Sequence, residues 1–498
     1  MASGGPAHPA GSGTAGLVRG PEGVLGPQVL ASGPQGITRT VDGWLAEAEA
    51  HEQAGRLEEA ERILAQVLQA MPHYAPALHQ GAILSHRRRR PQEALDRLER
   101  ALAVAPDHPL FHRNICEIYR GLCRLDEAVF HGRRAVELTP DDAGANYNLG
   151  VIHYDRMEID AAIHYARRAL ELDPAMAAAH FELAEALLVD GQFAEGWREY
   201  EWRFDLPGSQ PLLPLKDKPQ WDGRPMPEGT LLLIGDQGFG DTIQFCRYVG
   251  DVARLCPNLI MACSSEMKPI VLQQGGITQY FDRWEHAPAF DAYCPLSGLP
   301  RLFGTALESI PAPVPYVRAD PAKVEHWRAR LAELVPQDFQ SVGVVWAGRP
   351  THGNDFNRSM SLRTLAPLGR LPRTALVSLQ MGPAMAQVAE YYGAAPLINL
   401  AAEIVDFTDT MAILEILDDI VAVDTSIVHL AGAMGRPVSV LLPFAPDWRW
   451  LRERADTPWY PSVRLFRQPR SAAWAEPVAA VTAHLARQAG TRGRGPRS

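Results

Sequence analysis

Small and apolar residues recur at a fixed interval through the first part of the chain. Alanines stand at 60, 94, 128 and 162 and prolines at 72, 106, 140 and 174, so that both columns repeat every 34 residues. A third column with the same spacing holds Val67, Ala101, Ala135 and Ala169. Each unit contains two helical patterns joined by a turn, and its proline ends the second helix because it lacks an N–H and clashes with the preceding turn. The interval predicts four helical pairs over about 41–176 and a degenerate fifth unit marked by Ala184, Gly191 and Trp197.

Beyond these units, short apolar runs alternate with helical segments. The runs that we interpret as strands are 231–234, 259–263, 342–346, 375–380, 420–423 and 438–442, and the clearest later helices are 409–417 and about 427–434. Alternating strands and helices predict a parallel sheet. The pattern restarts after Pro336, which predicts two α/β lobes that face a cleft.

These changes of pattern predict six segments. They are a disordered tail (1–38), the helical repeats (39–206), a proline-rich linker (207–228), a first lobe (229–335), a second lobe (336–488) and a disordered tail (489–498). The predicted fold class is therefore an α-solenoid followed by a two-lobed α/β domain.

Composition narrows the class of protein. The chain of 498 residues is 46% hydrophobic and carries a net charge of −10, which argues against a nucleic-acid partner. It contains no apolar run long enough for a membrane span and no secretory signal pattern near its start, so we expect a cytoplasmic protein. The six cysteines form no C-x-x-C pair and stand near no histidine cluster with zinc spacing, so we expect buried free thiols and no metal site.

Asp424, Thr425 and Ser426 lie between a predicted strand and a predicted helix. The free N–H groups of a first helical turn carry partial positive charge and suit the phosphates of a nucleotide. The alternative is an ordinary N-cap, which Asp424 or Ser426 would supply.

The segment from Gly235 to Asp241 follows the first predicted strand of the first lobe. Its glycines match neither the dinucleotide-binding pattern nor a Walker loop. A carboxylate at Asp241 could accept a proton from an attacking hydroxyl group. Alternatively, Asp241 is the N-cap and Gln244 the N3 residue of a capping box.

Three further segments each allow two interpretations. In the loop from Ala347 to Arg358, the arginine could balance phosphate charge, or the loop is simply surface. The two tryptophans and the arginine after Pro443 could stack on a base or sugar, or pack beneath the loop. The four arginines at 87–90 are a solvated face or bind an acidic partner.

The 34-residue columns resemble the tetratricopeptide repeat. Such repeats stack into a concave groove, which implies a bound peptide or helix of a protein acceptor; a scaffold or dimerisation surface is the alternative. We leave the oligomeric state open.

The second half resembles two-lobed (GT-B) glycosyltransferases of the family 9, heptosyltransferase-like kind. The matching residues are the Gly240-Asp241 turn, Val345 to Gly348, Asn354 to Arg358, Ser378 to Gln380, Val423 to Ser426 with His429, and Leu441 to Trp450, the last of which resembles the form fused to repeats. The fused arrangement also resembles bacterial flagellin glycosyltransferases and, more distantly, the O-linked N-acetylglucosamine transferases.

The resemblance implies roles for individual residues. Asp241 would be the general base. Arg358, where heptosyltransferases have a lysine, would hold the donor phosphates together with Thr425 and Ser426. The remaining implied donor-binding residues are Gly238, Gly240, Trp346, Gly348, Asn354, Gln380, Asp424 and His429.

The resulting hypothesis is an inverting protein O-glycosyltransferase with flagellin as a candidate acceptor. Its donor would be a nucleotide-sugar, which is a substrate, and we expect no cofactor. The chain contains no D-x-D triplet, which favours metal-independent transfer. Two alternatives remain open: a transferase that acts on a lipid-linked or polysaccharide acceptor, and a non-catalytic repeat adaptor.

Overall fold

The computed structural model describes residues 31–32, 38–214, 217–311 and 314–492. Most of the two predicted tails, 1–38 and 489–498, lies outside these ranges. The chain divides into two compact units, with the boundary between Leu183 and Ala184. The boundaries of the six predicted segments stay predictions. No helix in the described ranges is both long and apolar enough to cross a bilayer.

The first unit is a stack of antiparallel helix pairs. It begins with a short antiparallel strand pair, β1 (Ala31–Ser32) and β2 (Thr38–Arg39). The helices are α1 (Val41–Gln53), α2 (Leu57–Ala70), α3 (Ala75–Arg87), α4 (Pro91–Val104), α5 (Pro109–Gly121), α6 (Leu125–Leu138), α7 (Ala143–Asp155), α8 (Ile159–Leu172) and α9 (Ala177–Val189), with the unit boundary inside α9. The four predicted pairs over 41–176 are confirmed.

The alanine column explains why the pairs pack closely. Ala60, Ala94, Ala128 and Ala162 are all fully buried, so the repeat places its smallest apolar side chain where two helices come together. Each proline of the 34-residue column follows the last helical residue of its unit by two positions, where the chain must leave the helix.

The turn inside each pair has one residue in the left-handed region. These residues are Gly55, Arg89, Cys123, Met157 and Gly191, again at intervals of 34. Glycine thus occupies this position only in the first and last of the five turns. Cys123 is exposed because it lies in such a turn, whereas the other five cysteines are buried free thiols as predicted.

The second unit alternates helices with strands. Its helices are α10 (Phe193–Glu199), α11 (Phe239–Phe245), α12 (Val249–Leu255), α13 (Lys268–Val271), α14 (Leu299–Leu302), α15 (Pro321–Leu334), α16 (Asp355–Arg358), α17 (Phe407–Ile416), α18 (Ser426–Ala433) and α19 (Ala475–Arg492). Its strands are β3 (Thr230–Ile234), β4 (Asn258–Ala262), β5 (Ile277–Phe281), β6 (Ala292–Pro295), β7 (Gln340–Val345), β8 (Thr374–Ser378), β9 (Leu397–Asn399), β10 (Asp419–Val423), β11 (Val438–Leu442) and β12 (Val463–Arg467). Short 3-10 segments include Tyr200–Phe204, Cys246–Tyr248, Leu272–Gln274, Trp284–His286, Leu296–Gly298, Leu307–Ser309, Leu362–Arg370, Pro383–Glu390 and Trp448–Trp450.

The first sheet of this unit contains four parallel strands in the order β5-β4-β3-β6. The predicted linker runs along its edge, where the amide of Trp221 donates to the carbonyl of Tyr293 at 2.8 Å. The sequence pattern did not predict β5 and β6.

The second sheet contains six parallel strands in the order β12-β11-β10-β7-β8-β9. Numbered along the chain within this lobe, the order is 6-5-4-1-2-3, the doubly wound arrangement in which the strand order reverses beside the first strand. The two parallel sheets confirm the predicted α/β character of the second half.

Candidate functional site

The strand order reverses between β7 and β10, which pair in parallel from Asp419 with Val342 to Ala422 with Val345. In open α/β sheets, ligands bind at the carboxyl ends of the strands beside such a reversal. The segment that leaves β7 is Trp346-Ala347-Gly348, and the segment that leaves β10 is Asp424-Thr425-Ser426. The topology therefore brings together two of the predicted donor-binding segments.

Gln380, at the end of the neighbouring strand β8, holds the loop that leaves β7. The amides of Trp346 and Ala347 donate to its Oε1 at 3.0 and 2.9 Å, and its Nε2 donates to the carbonyl of Ala347 at 2.9 Å. Gln380 and Trp346 are both buried, and the indole ring lies in the core beneath the sheet. These two predicted residues therefore shape the loop backbone rather than present side chains at the surface.

Gly348 allows the next part of this loop to fold tightly. Its amide donates to Ser359 Oγ at 2.8 Å, and Ser359 Oγ donates to Asp355 Oδ1 at 2.9 Å. A Cβ at Gly348 would lie 2.5 Å from Asp355 Oδ1 and 2.8 Å from Arg358 Nη2. A larger residue here would therefore have to displace the ends of these two side chains of the short helix α16, which Asn354 precedes as its N-cap.

Arg358, the predicted phosphate ligand, is mostly buried but not fully paired. Its Nε lies 3.5 Å from Asp355 Oδ1, and that nitrogen makes no hydrogen bond in the part of the chain that the structure describes. Its charge is close enough to influence Asp424 at the end of β10. A guanidinium with unused hydrogen-bonding capacity beside the strand reversal is suited to an anionic ligand.

Helix α18 begins at Ser426 without a side-chain cap. Its N-cap is Thr425, so the alternative in which Asp424 or Ser426 caps the helix is wrong. Thr425 Oγ1 is buried and has no hydrogen-bond partner among the described residues. The N–H of Val428 donates to the carbonyl of Thr425 at 3.0 Å, so the first turn offers the N–H groups before it and one unused hydroxyl group at the same place.

Asp424 is a buried carboxyl group in a mixed electrostatic environment. Burial, and secondarily the carboxylate of Asp447, raises its pKa to about 6, although Arg358 and Arg449 act in the opposite direction. Its protonation state therefore changes close to neutral pH, unlike that of an exposed aspartate.

Asp241 comes from the other lobe and is the third residue of α11. The helix begins at Phe239 with Gly238 as N-cap, and the Gly238 amide donates to Asp241 Oδ2 at 3.0 Å. The predicted capping box, with Asp241 as N-cap and Gln244 at N3, is therefore wrong by three residues. The helix starts earlier because the carboxylate satisfies the amide of a preceding glycine, which adopts an extended conformation.

Arg449 joins the two lobes. It is 3% exposed, and its Nη1 donates to both oxygens of Asp447 at 2.9 and 3.0 Å. Its Nε donates to Gln244 Oε1 at 2.8 Å, and its Nη2 donates to Asp241 Oδ1. The flanking residues Trp448 and Trp450 are fully buried, so of the two interpretations of this segment, packing beneath the loop is correct.

His429 packs against the turn that carries Asp241. A Cβ at Gly240 would lie 2.7 Å from His429 Cδ2, so only glycine fits here without a shift. Burial, followed by the charge of Arg449, lowers the pKa of His429 to about 3, so the ring is neutral. Its Nδ1 lies 3.0 Å from Tyr460 Oη. These contacts indicate that His429 and Gly240 hold the lobes together.

The arginine run at 87–90 has partners within the repeats. Arg87 pairs with Glu52 at 2.8 Å, and Arg88 and Arg90 both pair with Glu61, at 2.6 and 2.5 Å. Three of the four arginines thus meet acidic groups of the preceding helix pair. The run is thus a partly solvated face, as one of its two interpretations has it, and these three side chains are paired with the protein's own carboxylates.

A second ionic cluster lies on the first helices of successive repeats. Arg120 pairs with Glu117 at 3.2 Å and with Asp155 at 3.1 Å. Burial raises the pKa of Glu182 to about 8, and the carboxylate of Asp155 adds to the effect. The cluster therefore has more acidic than basic groups.

The sequence analysis missed Asp447 and Arg449 as site residues. Their segment was interpreted as a stacking surface for a base or sugar or as packing beneath the loop, without a role for the two charges. The signal that could have found them is a buried arginine between two tryptophans, since a charge in such a segment needs partners elsewhere in the fold.

Comparisons with known proteins agree with the repeats. The family model described as tetratricopeptide repeat matches residues 86–143 and 147–200, and the chain contains such repeats. Protein FlbA of Caulobacter vibrioides is 27% identical over 338 residues, which cover 61% of this chain and 54% of that protein. The chain thus spans about half the length of this curated relative.

Solved structures match the chain over about a third of its length. MamA is 18% identical with a TM-score of 0.30, over 32% of this chain and 92% of that chain. PilF of Pseudomonas aeruginosa is 21% identical with a TM-score of 0.32, over 34% of this chain and 78% of that chain.

Proposed function

We propose that the protein is an O-glycosyltransferase that transfers a sugar from a nucleotide-activated donor to a serine or threonine of a protein acceptor. The observation that supports this proposal is that three features occur together in the second unit of the fold. They are an uncapped helix start at a strand reversal, an incompletely paired arginine beside it, and a carboxylate that the other lobe brings against the same helix.

The donor diphosphate would bind at the start of α18. The N–H groups of the first turn and Thr425 Oγ1 would donate hydrogen bonds to it, and Arg358 would balance its charge. Charge develops on this diphosphate as the bond to the sugar breaks. The same donors would then stabilise the leaving group, which lowers the barrier to transfer.

Asp241 would act as the general base. It would accept the proton of the acceptor hydroxyl group while that oxygen attacks the anomeric carbon from the face opposite the leaving diphosphate. The bond from the acceptor oxygen to the sugar forms as the bond to the diphosphate breaks. Both oxygens of Asp241 already accept hydrogen bonds, from Gly238 and Arg449, yet a carboxylate has further lone pairs available.

The repeats would recruit the acceptor. Stacked helix pairs of this kind present a concave surface to an extended segment or helix of a partner. Flagellin remains the candidate acceptor because of the resemblance to flagellin glycosyltransferases.

The experiment is the intact mass of flagellin from the native host, compared between wild type and Asp241→Asn. We expect wild-type flagellin to be heavier by whole sugar masses and the variant's flagellin to lack them. Asp251→Asn is the matched control, because Asp251 lies on α12 of the same lobe and pairs with Arg254 at the surface. Nucleotide-sugar binding by Asp241→Asn, followed by tryptophan fluorescence, would show that the variant is folded.

The other outcomes separate the alternatives. Sugar on a glycolipid with none on any protein would replace the acceptor class. Absence of binding by every common nucleotide-sugar to the wild type would favour a non-catalytic adaptor. Full transfer by Asp241→Asn would refute the assignment of the base.

A further inference from the structure

Arg449 is a buried charge whose hydrogen bonds all point to defined partners. One guanidinium contacts Asp447 through both carboxylate oxygens, Gln244 through Nε, and Asp241 through Nη2. Burying a charge is costly unless it is paired and hydrogen-bonded. The three partners meet this requirement and fix the plane of the guanidinium.

We infer that Arg449 is a positioning residue for the proposed transfer: it holds the Asp241 carboxylate in one orientation and in the ionised form that a general base requires. This inference rests on the proposed function for its catalytic meaning. Its electrostatic content, that Arg449 keeps Asp241 ionised, can be tested without any transfer reaction.

The orientation follows from two opposed hydrogen bonds. Gly238 N donates to Oδ2 from the same loop, and Arg449 donates to Oδ1 from the other lobe. Each oxygen is thus held from a different side, so the carboxylate cannot rotate without losing a bond. A lysine could supply the charge but not the forked geometry that reaches three partners at once.

The ionised form follows from the charges that face Asp241. They are Arg449 and Asp447 on the loop after β11, His429 on α18, Tyr200 on the 3-10 segment after α10, and Asp236 after β3. The pKa of His429 is lowered to about 3, chiefly by burial, and that of Tyr200 is raised to about 12, also by burial, so both are neutral near pH 7. Asp447 and Asp236 are carboxyl groups, which would disfavour a further negative charge. Arg203 lies 3.8 Å from Asp236 and offsets that carboxyl group, whereas Arg449 is the cation bonded to both Asp447 and Asp241.

The test must avoid a variant that merely fails to fold. Arg449→Met alone would leave Asp241 and Asp447 buried without their cation, which destabilises strongly. The double variant with Asp447→Asn and Arg449→Met removes one charge of each sign, and Asp447→Asn alone is its reference. Arg454→Met is the control for loss of an arginine, because Arg454 pairs with Asp456 at the surface.

The direct readout is the ¹³C carboxyl resonance of Asp241, assigned by its loss in Asp241→Asn and titrated with pH. We expect the midpoint to lie higher by about one pH unit or more in the double variant than in Asp447→Asn. Equal midpoints would overturn the inference, whether or not the protein transfers sugar.

The pH dependence of transfer is the second readout. The acidic limb of the profile should move to higher pH in the double variant, with kcat reduced about tenfold or more and the KM for the donor little changed. Arg449→Lys should restore the position of the limb but only part of kcat. An unmoved limb in an active double variant would overturn the inference. A shifted carboxyl titration in a protein that transfers nothing would uphold the electrostatic inference and refute the proposed function instead.

Discussion

Replacing Asp424 by asparagine should stabilise the second unit at neutral and alkaline pH. The aspartate is 9% exposed at the end of β10, and burial raises its pKa to about 6 from an ordinary value of 3.8. Asparagine keeps the shape and most hydrogen-bonding capacity of the side chain but has no charge to bury. The substitution therefore isolates the electrostatic cost of the carboxylate.

The direction and the size of the effect follow from the difference between the folded and unfolded forms. Between pH 3.8 and about 6 the folded protein binds this proton more tightly than the unfolded chain, so its free energy of unfolding falls as the pH rises through that window. Above it, the cost is complete and amounts to about 3 kcal/mol. This figure already includes the attraction of Asp424 to Arg358 and Arg449. Asp424→Asn should recover up to this amount at pH 8 and almost none of it near pH 4.

Urea unfolding followed by tryptophan fluorescence measures this difference. The signal reports on the second unit of the fold, because ten of the eleven tryptophans lie at position 197 or beyond. The melting temperature of the variant should rise by about 5 °C at pH 8. Asp456→Asn is the control, because the pKa of Asp456 is shifted in the opposite direction: hydrogen bonds from Arg454 lower it. That variant should gain no stability. An Asp424→Asn protein that is no more stable than the wild type at pH 8, or that gains as much at pH 4.5, would contradict the predicted cost of burying this carboxylate.

Two further predictions concern glycine positions. Gly240→Ala should lower the free energy of unfolding by about 1–3 kcal/mol, because the new Cβ would lie 2.7 Å from the ring of His429. Gly250→Ala is the matched control, because a Cβ there meets no described atom within 4 Å. Equal unfolding midpoints for the two variants would contradict the close approach. Cys123→Gly should stabilise the repeats by about 1 kcal/mol, because Cys123 has a φ of 57° where the first and last turns have glycine. A lower midpoint of unfolding, followed by far-ultraviolet circular dichroism, would contradict this.

The repeats could be predicted from the sequence because their contacts are local and periodic. A column of alanines reports directly on a helix crossing, and each crossing lies within one 34-residue unit. The residue in the left-handed conformation in each turn is harder to predict from the sequence. Only Gly55 and Gly191 mark it, whereas Arg89, Cys123 and Met157 adopt the same conformation without the residue that signals it.

Two of the strands that the sequence pattern did not predict, β5 and β9, lack a continuous apolar run. In β5 the central Thr278 and Gln279 are exposed, as expected at the edge of a sheet, and β9 has only three residues. Central strands such as β7 and β10 are buried throughout and were found. Helix α15 was missed although Asp320 and Pro321 gave a cap signal at its start.

The candidate site could be predicted only as separate segments. That polar residues follow β7 and β10 is visible in the sequence, but that these strands are neighbours depends on the topology of the whole sheet. The contact between Asp241 and Arg449 joins positions 208 residues apart and has no local signal. The start of α11 was misplaced because the amide of Gly238 is satisfied by a carboxylate three residues later.

Asp424 is the feature that links stability to the proposed function. A carboxyl group that lowers the free energy of unfolding at neutral pH is a local conflict that an asparagine would remove, and such conflicts concentrate at functional sites. It lies directly before the uncapped start of α18, beside Thr425, whose buried hydroxyl group has no hydrogen-bond partner within the described ranges. A bound diphosphate would supply the missing acceptors for the helix and for Arg358, and its charge would favour the neutral form of Asp424. The arrangement is thus costly in the ligand-free protein and becomes favourable when an anion binds, which is the behaviour expected of a donor site rather than of a structural core.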